Sequence, residues 1–256
     1  MLLTLGDVKE AVTAARQSVT YADKSGDEFW KEAARTTLAD ALHQSDEIDE
    51  AEQWFREAEE MQKNRRPEFP LLYSLAGYQF CDLLLENYTP ETIREVISRA
   101  DITMEISKEE DWLLGKALDK LILGRAWMMW AVKDTPNEPP PGDRFSRALN
   151  YLTQAVEGLR KYGSKQHLPR GLLARAEYYR HMKEYALALD DLSEARDIAE
   201  LGEMKLHLCD YHLEAGRLCH AQGKMEEAAE HFQAAKAIVE ETGYFRRKEE
   251  KEIKNY

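Results

Sequence analysis

Apolar and small side chains recur along the chain at helical spacing, in units of a small residue, a large apolar residue four positions later and a small residue three after that. The clearest copies are Ala51-x3-Phe55-x2-Ala58 and Ala228-x3-Phe232-x2-Ala235. Steps of four and three place all three residues of a copy on one face of a helix. The pattern therefore predicts amphipathic helices whose small positions admit a neighbouring helix closely.

Weaker copies of this unit occupy the rest of the chain. They are Ala11-x3-Ala15-x2-Ser18, Ile93-x3-Ile97-x2-Ala100, Ala148-x3-Leu152-x2-Ala155 and Ala188-x3-Leu192-x2-Ala195. The six leading positions are 11, 51, 93, 148, 188 and 228, so most steps lie near 40 residues. A fixed period of this length is typical of a repeat architecture.

A second helical pattern, a small residue and a large one three later, precedes each copy after the first. These pairs are Ala39 and Leu42, Gly77 and Phe80, Gly124 and Trp127, Ala176 and Tyr179, and Gly216 and Cys219. Short polar turns separate the two patterns. Together they form the helix pair of tetratricopeptide repeats (TPR), whose usual period is about 34 residues. We predict an all-α TPR superhelical solenoid of antiparallel helix pairs with a long period near 40 residues.

The expected organisation is one solenoid over residues 1–256. Its units are a half repeat at 1–25, repeats at about 27–63, 68–107, 110–162, 166–201 and 204–241, and a polar C-terminal cap at 242–256. The helix at 7–23 lacks the partner that would cover its apolar face, and natural solenoids cap their ends. We therefore expect upstream domains in the same polypeptide, with self-association through the uncovered helix as a further possibility.

Two irregularities interrupt the repeat. Thr89 is the expected N-cap of a helix that starts with Pro90. The segment 133–143 contains Pro139, Pro140 and Pro141, so we expect an extended exposed loop. That loop is either a ligand for a proline-reading domain or a tolerated insertion on one face of the array.

Composition narrows the function. The net charge of −13 repels phosphate backbones and no basic cluster offsets it, so nucleic acid is not an expected partner. The three cysteines are too few for a disulfide framework and indicate a reducing compartment. There is neither an apolar leader nor a run long enough to span a bilayer, which predicts a soluble, cytoplasmic protein without a membrane partner.

The first helix of each pair is expected to line the concave wall, which is where such arrays commonly bind protein or peptide ligands. Residues counted onto that wall are Asp40, His43, Tyr78, Asp82, Arg125, Met128, Met129, Glu177, Arg180 and Arg217. Methionine adapts its shape and arginine grips carboxylates, so this groove suits an apolar peptide with acidic groups. The alternative is a mixed lining without specific recognition. The groove lacks the lysine and asparagine clamp of chaperone-tail-binding TPR domains.

No catalytic, cofactor-binding or metal-binding residues are predicted. Cys209, His212 and Cys219 share a helix face, but one straight helix cannot surround zinc with four ligands, and core positions explain them. Adjacent carboxylates such as Asp190 and Asp191 diverge by about 100° on a helix. The chain contains no Gly-x-Ser-x-Gly elbow and no phosphate-binding loop. An enzyme is therefore not expected.

Several stretches resemble the C-terminal TPR arrays of bacterial STAND-type signalling ATPases, including those with NACHT domains. They are 35–44, 55–62, 209–214 and 240–247. In that family the array is understood to sense a trigger and release an attached ATPase. The resemblance implies a ligand-sensing part of a larger signalling or defence protein. The alternative is a free-standing TPR adaptor or peptide-responsive regulator with the same groove.

Overall fold

The structure, a computed structural model, describes residues 2–86, 89–107, 112–132, 141–163, 165–248 and 250–255. All regular elements in these ranges are helical. They are α1 (Leu2–Leu5), α2 (Val8–Ser25), α3 (Glu28–Gln44), α4 (Ile48–Arg65), α5 (Ser74–Leu84), α6 (Pro90–Ile106), α7 (Leu113–Val132), α8 (Pro141–Tyr162), α9 (Leu168–His181), α10 (Tyr185–Leu201), α11 (Lys205–Ala221), α12 (Met225–Thr242), a 3-10 turn (Phe245–Arg247) and α13 (Lys251–Asn255).

The helices follow one another as antiparallel pairs, most closely packed in α3 with α4, α7 with α8, α9 with α10 and α11 with α12. Three of the turns within pairs are built alike. Their third residues, Asp46, Lys183 and Gly223, adopt left-handed φ angles of 72°, 60° and 79°. This conformation reverses the chain directly after a helix. The all-α, TPR-like solenoid predicted from the sequence is confirmed. We call α3, α5, α7, α9 and α11 the inner helices and α4, α6, α8, α10 and α12 the outer helices.

The small and large positions of the repeat pack against each other. A Cβ placed on Gly124 would lie 2.7 Å from Cγ of Leu152, and one on Gly216 would lie 2.5 Å from the ring of Phe232. Leu152 and Phe232 are the central residues of their repeat copies, and both are almost completely buried. The inner helix therefore offers a gap that the large residue of the outer helix fills.

The uncovered face expected for the first long helix is not observed. Its apolar stripe, Val8, Ala11, Ala15, Val19 and Ala22, is buried, and α2 packs against α3. The array also curves until its ends meet. The short helix α1 contacts α11, and a Cβ on Gly6 would lie 2.8 Å from Thr242. The prediction of an exposed face was wrong because the apolar stripe of α2 packs on α3, and the last pair reaches the chain at α1 and Gly6.

The two irregularities have different outcomes. The Thr89 hydroxyl accepts the backbone N–H of Thr92 and the reciprocal bond is present, so the predicted cap of α6 is confirmed. Most of the predicted proline loop, including Pro139 and Pro140, lies outside the described residues. Its end differs from the prediction, because α8 begins at Pro141. Proline is well suited to a first helical position, since its fixed φ is already helical.

The C-terminal segment, residues 244–255, is packed against the array. Tyr244 is 2% exposed and Ile253 is 5% exposed, and both belong to a core that includes Phe232 of α12 and Leu213 of α11. The segment was predicted to be a polar cap, and that description fits only its exposed side. Among the described helices, none is long and apolar enough to cross a membrane.

Candidate binding cavity

The concave side of the array encloses a cavity of about 1140 Å³. Its wall is formed by all five inner helices, by α1 and α2, and by the C-terminal segment. No described residue of an outer helix lines it. The first helix of each pair thus contributes to this wall. The contribution of α2 was not predicted, and it follows from the closure of the array.

Eight of the ten residues assigned to the groove line this cavity. They are Asp40, Tyr78, Asp82, Arg125, Met128, Met129, Glu177 and Arg217. His43 and Arg180 do not. The His43 ring is completely buried behind the wall, where its Nε2 lies 3.4 Å from the Glu86 carboxylate. Burial and the nearby Arg246 lower the pKa of His43, so the ring is neutral and supports the wall from behind.

The arginines predicted to grip a ligand are paired with carboxylates of the chain itself. Arg125 forms an ion pair with Asp82, and its Nη1 also lies 3.3 Å from the Tyr78 hydroxyl. Arg180 donates two hydrogen bonds to the carboxylate of Glu214 on the neighbouring inner helix. Bidentate pairs of this kind fix both side chains. They therefore make the wall rigid instead of leaving free cations in the groove.

Arg246 of the C-terminal segment reaches across the cavity to the second repeat. It donates from Nη1 and Nη2 to the two carboxylate oxygens of Asp82, at 2.7 and 3.0 Å, and it also pairs with Glu86. Burial alone would raise the pKa of Asp82, but Arg125 and Arg246 outweigh burial and hold that pKa well below its ordinary value. Asp82 is therefore a carboxylate shared by two guanidinium groups.

Three further hydrogen bonds fasten the same segment to α11. Nε of Arg247 donates to Asp210 at 2.8 Å, and Arg217 donates to Glu250 at 2.8 Å and Glu252 at 2.9 Å. The sequence analysis missed this docking because it took 242–256 as a polar terminus. The aromatic pair Tyr244-Phe245 directly before Arg246 was the available signal.

One cation of the wall differs from the others. Among the described residues the Arg170 side chain makes no hydrogen bond or ion pair, and its guanidinium lies 5.4 Å from the centre of the Tyr78 ring. Burial lowers the pKa of Arg170, but the neighbouring Tyr78, Asp40 and Asp82 outweigh burial and raise it, so the group is fully charged. The sequence analysis did not single out Arg170, because it precedes the inner-helix positions that were counted.

Asp40 is the matching acidic group. Its Oδ1 accepts from the Gln44 amide at 2.9 Å and its Oδ2 from the Gln79 amide at 2.7 Å, and it has no ion pair with any described residue. Apolar side chains that remain partly exposed complete the lining: Leu3, Leu75, Met129, Leu173 and Leu206. Among the described lining residues, the cavity thus combines apolar side chains with the unpaired cation of Arg170 and the unpaired carboxylate of Asp40.

Cys209, His212 and Cys219 of α11 lie apart from this cavity. Cys209 is buried, with its Sγ 3.7 Å from the carbonyl oxygen of Ala235, and Cys219 is close to Glu227. The Nδ1 atoms of His212 and His231 are 2.9 Å apart. In the ranges that the structure describes, no group of three or more His, Cys, Asp and Glu side chains is arranged to hold a metal ion.

The His212 and His231 pair leads to a pH prediction. Burial and the neighbouring ring lower the pKa of His212 to about 4, and burial also lowers that of His231. The unfolded chain therefore takes up protons first, and stability is lost as pH falls from about 6.5 towards 4. Between pH 7 and pH 5 the chain should lose about 1 kcal/mol more than a His212→Leu/His231→Leu variant, a value reduced because both rings are partly exposed.

Urea denaturation at pH 8, 7 and 5 measures this difference for the two proteins. Between pH 8 and pH 7 the two should differ by no more than about 0.3 kcal/mol, because an unfolded histidine with a pKa of about 6.5 is only about a quarter protonated at pH 7. If both proteins lose the same free energy of unfolding between pH 7 and pH 5, the role given to the histidine pair is refuted.

Comparisons with known proteins support the fold. The tetratricopeptide repeat family model matches residues 33–65, which cover most of α3 and all of α4. No curated protein matches the chain. The crystal structure of BtubC (BKLC) from P. vanneervenii superposes with a TM-score of 0.56 at 17% sequence identity, covering 91% of each chain. At this identity the likeness shows the fold alone. The chain is a TPR-like helical array.

Proposed function

We propose that this chain is a protein-binding scaffold whose concave cavity takes a short segment of a partner protein. The observation that carries the proposal is the cavity itself, about 1140 Å³ and lined by every inner helix. Pockets that bury a drug-sized ligand have volumes of about 300–1,000 Å³. A cavity slightly above that range accommodates a few residues of an extended chain and is too small for a folded domain.

The wall is suited to binding because its shape is set before a ligand arrives. Asp82 is held by Arg125 and Arg246, and Glu214 is held by Arg180. Side chains that are already fixed lose little conformational entropy when a ligand binds. The partly exposed leucines and Met129 supply apolar contact area, while Arg170 and Asp40 fix the orientation of the bound segment. This division between apolar area and a few polar groups is typical of ligand sites.

An array of random heptapeptides, immobilised through their N-termini, tests the proposal with the fluorescently labelled chain. Ala14 is exposed on α2 and faces the cavity, so an Ala14→Trp variant fills the space without disturbing the core. Ala186 is equally exposed on the outer helix α10, and Ala186→Trp is the matched control. Affinities of the peptides that bind are then measured in solution by fluorescence anisotropy.

The proposal predicts that Ala14→Trp lowers the affinity for the bound peptides about tenfold or more, equivalent to about 1.4 kcal/mol. Ala186→Trp should leave that affinity unchanged. Equal effects of both variants would place binding outside the cavity. An array without any binding peptide would refute the proposed recognition of short segments.

The role of a sensor in a larger signalling ATPase is the narrower form of this proposal. It rests on the sequence resemblance to STAND-type proteins, and the family and structure comparisons support only the TPR-like array. A free-standing adaptor would use the same cavity. Sequencing the coding region around this chain separates the two, because the sensor requires an ATPase domain in the same polypeptide and the adaptor does not.

A further inference from the structure

We propose that Arg170 anchors a carboxylate of the bound segment, with His167 beside it as a hydrogen-bond donor and His207 as a fixed ring of the wall. The proposal rests on the proposed function, since it names the chemistry that the cavity recognises. All three residues line the cavity at the start of α9 and α11. The predicted ligand is therefore an apolar segment with a carboxylate, and that carboxylate is recognised by Arg170.

The first argument is that four of the five arginines lining the cavity already have counter-ions. Asp82 pairs with Arg125 and Arg246. Asp210 pairs with Arg247, and Glu250 and Glu252 pair with Arg217. Arg170 makes only its stacking contact with Tyr78 in the portion of the chain that is described. Its guanidinium donors are therefore available for a ligand, and they match the two oxygens of a carboxylate.

The second argument concerns the two histidines. His167 is 6% exposed, and its Nδ1 is buried with no hydrogen-bond partner in the described chain. Nε2 of His207 lies 3.3 Å from the carbonyl oxygen of Gln166, which fixes the ring at the cavity wall. A buried ring nitrogen without a partner costs free energy, and a ligand that hydrogen-bonds to it removes that cost.

The charges of the site favour a single negative charge over a phosphate group. Burial and Arg170 lower the pKa of both His167 and His207 to about 4, so the rings are neutral near pH 7. Arg170 then supplies the one unpaired positive charge among the lining residues that the structure describes. Seven acidic residues line the cavity, including Asp40 and Asp82 close to Arg170. A dianion would meet strong repulsion there, whereas a carboxylate is balanced by one guanidinium.

The test uses the heptapeptide array in matched chemical forms. Every sequence is synthesised with a free C-terminus, with a C-terminal amide, and with each Asp or Glu replaced by Asn or Gln. The labelled chain is compared with Arg170→Gln and with Arg196→Gln, which removes an exposed arginine of α10. Thermal melting establishes that both variants are folded. Solution affinities are then measured for peptides that bind the unaltered chain.

We expect the unaltered chain to bind the carboxylate form about tenfold or more tightly than the neutral form, as for other charge-assisted hydrogen bonds. That preference should persist in Arg196→Gln and fall below about twofold in Arg170→Gln. A loss of affinity on C-terminal amidation identifies a chain end as the source of the carboxylate. A loss of affinity on replacement of Asp or Glu identifies a side chain.

Peptides that bind the cavity equally well in charged and neutral forms would overturn the inference and leave the proposed function intact. A preference for carboxylates that Arg170→Gln retains would also overturn it, because another group would then hold the anion. If no peptide binds at all, the proposed function fails and the inference fails with it.

Discussion

Replacing Arg246 with alanine should lower the free energy of unfolding by about 3–5 kcal/mol, the usual cost of removing one partner from a buried ion pair. The Arg246 side chain is only 6% exposed and pairs with Asp82 and Glu86 of the second repeat. Its removal leaves the buried Asp82 and the partly buried Glu86 short of a counter-ion and releases the C-terminal segment from that wall. The loss should be larger than for an exposed arginine of an outer helix.

Urea denaturation followed by circular dichroism measures this effect, with Arg196→Ala as the control. Arg196 is 42% exposed on α10 and pairs with the exposed Asp197, so its removal should change stability by less than about 0.5 kcal/mol. Hydrogen exchange should also become faster in residues 244–255 of Arg246→Ala. Similar stability losses in the two variants would mean that the C-terminal segment is not held by this ion pair.

Among glycine-to-alanine changes in the inner helices, Gly77→Ala should lower the free energy of unfolding most. A Cβ at Gly77 would lie 2.4 Å from the carbonyl oxygen of Leu72 and 2.9 Å from its carbonyl carbon. These are backbone atoms, so no side-chain rotation relieves the clash. Overpacking of this kind costs about 1–3 kcal/mol or more, which exceeds the gain of about 1 kcal/mol from the better helix propensity of alanine.

Gly115→Ala provides a comparison with the opposite sign. Gly115 is also buried in an inner helix, but a Cβ there would lie 3.6 Å from the nearest atoms of Ser74, an ordinary contact distance. Helix propensity then decides, and stability should rise by up to about 1 kcal/mol. Thermal and urea unfolding measure the change in stability of each variant. A stabilised Gly77→Ala protein would show that the segment before α5 is packed differently.

The fold followed from the sequence because its determinants are local. Gly124 and Leu152, or Gly216 and Phe232, are neighbours in adjacent helices, so helical spacing was enough to predict their contact. The same reasoning placed most of the groove residues, since the inner helices repeat one orientation. Asp40 and Arg217 both line the cavity although they come from the first and last complete pairs.

The remaining features depend on contacts between distant parts of the chain. Arg246 and Asp82 are 164 positions apart, and no spacing rule connects them. The docking of Arg246 and the contact between α1 and α11 follow from small rotations that accumulate along the array. A pattern within one helix pair does not specify that sum. Arg170 was overlooked because the pairing of the other arginines, which distinguishes it, is visible only in three dimensions.

Hydrogen–deuterium exchange with and without an array-derived heptapeptide tests the central claim most directly, because it locates the bound segment on the fold. If the cavity is the binding site, exchange should slow in the inner helices α3, α5, α9 and α11, while α4, α6, α10 and α12 remain unchanged away from the turns. Slower exchange confined to the outer helices would contradict the account and place recognition on the convex face.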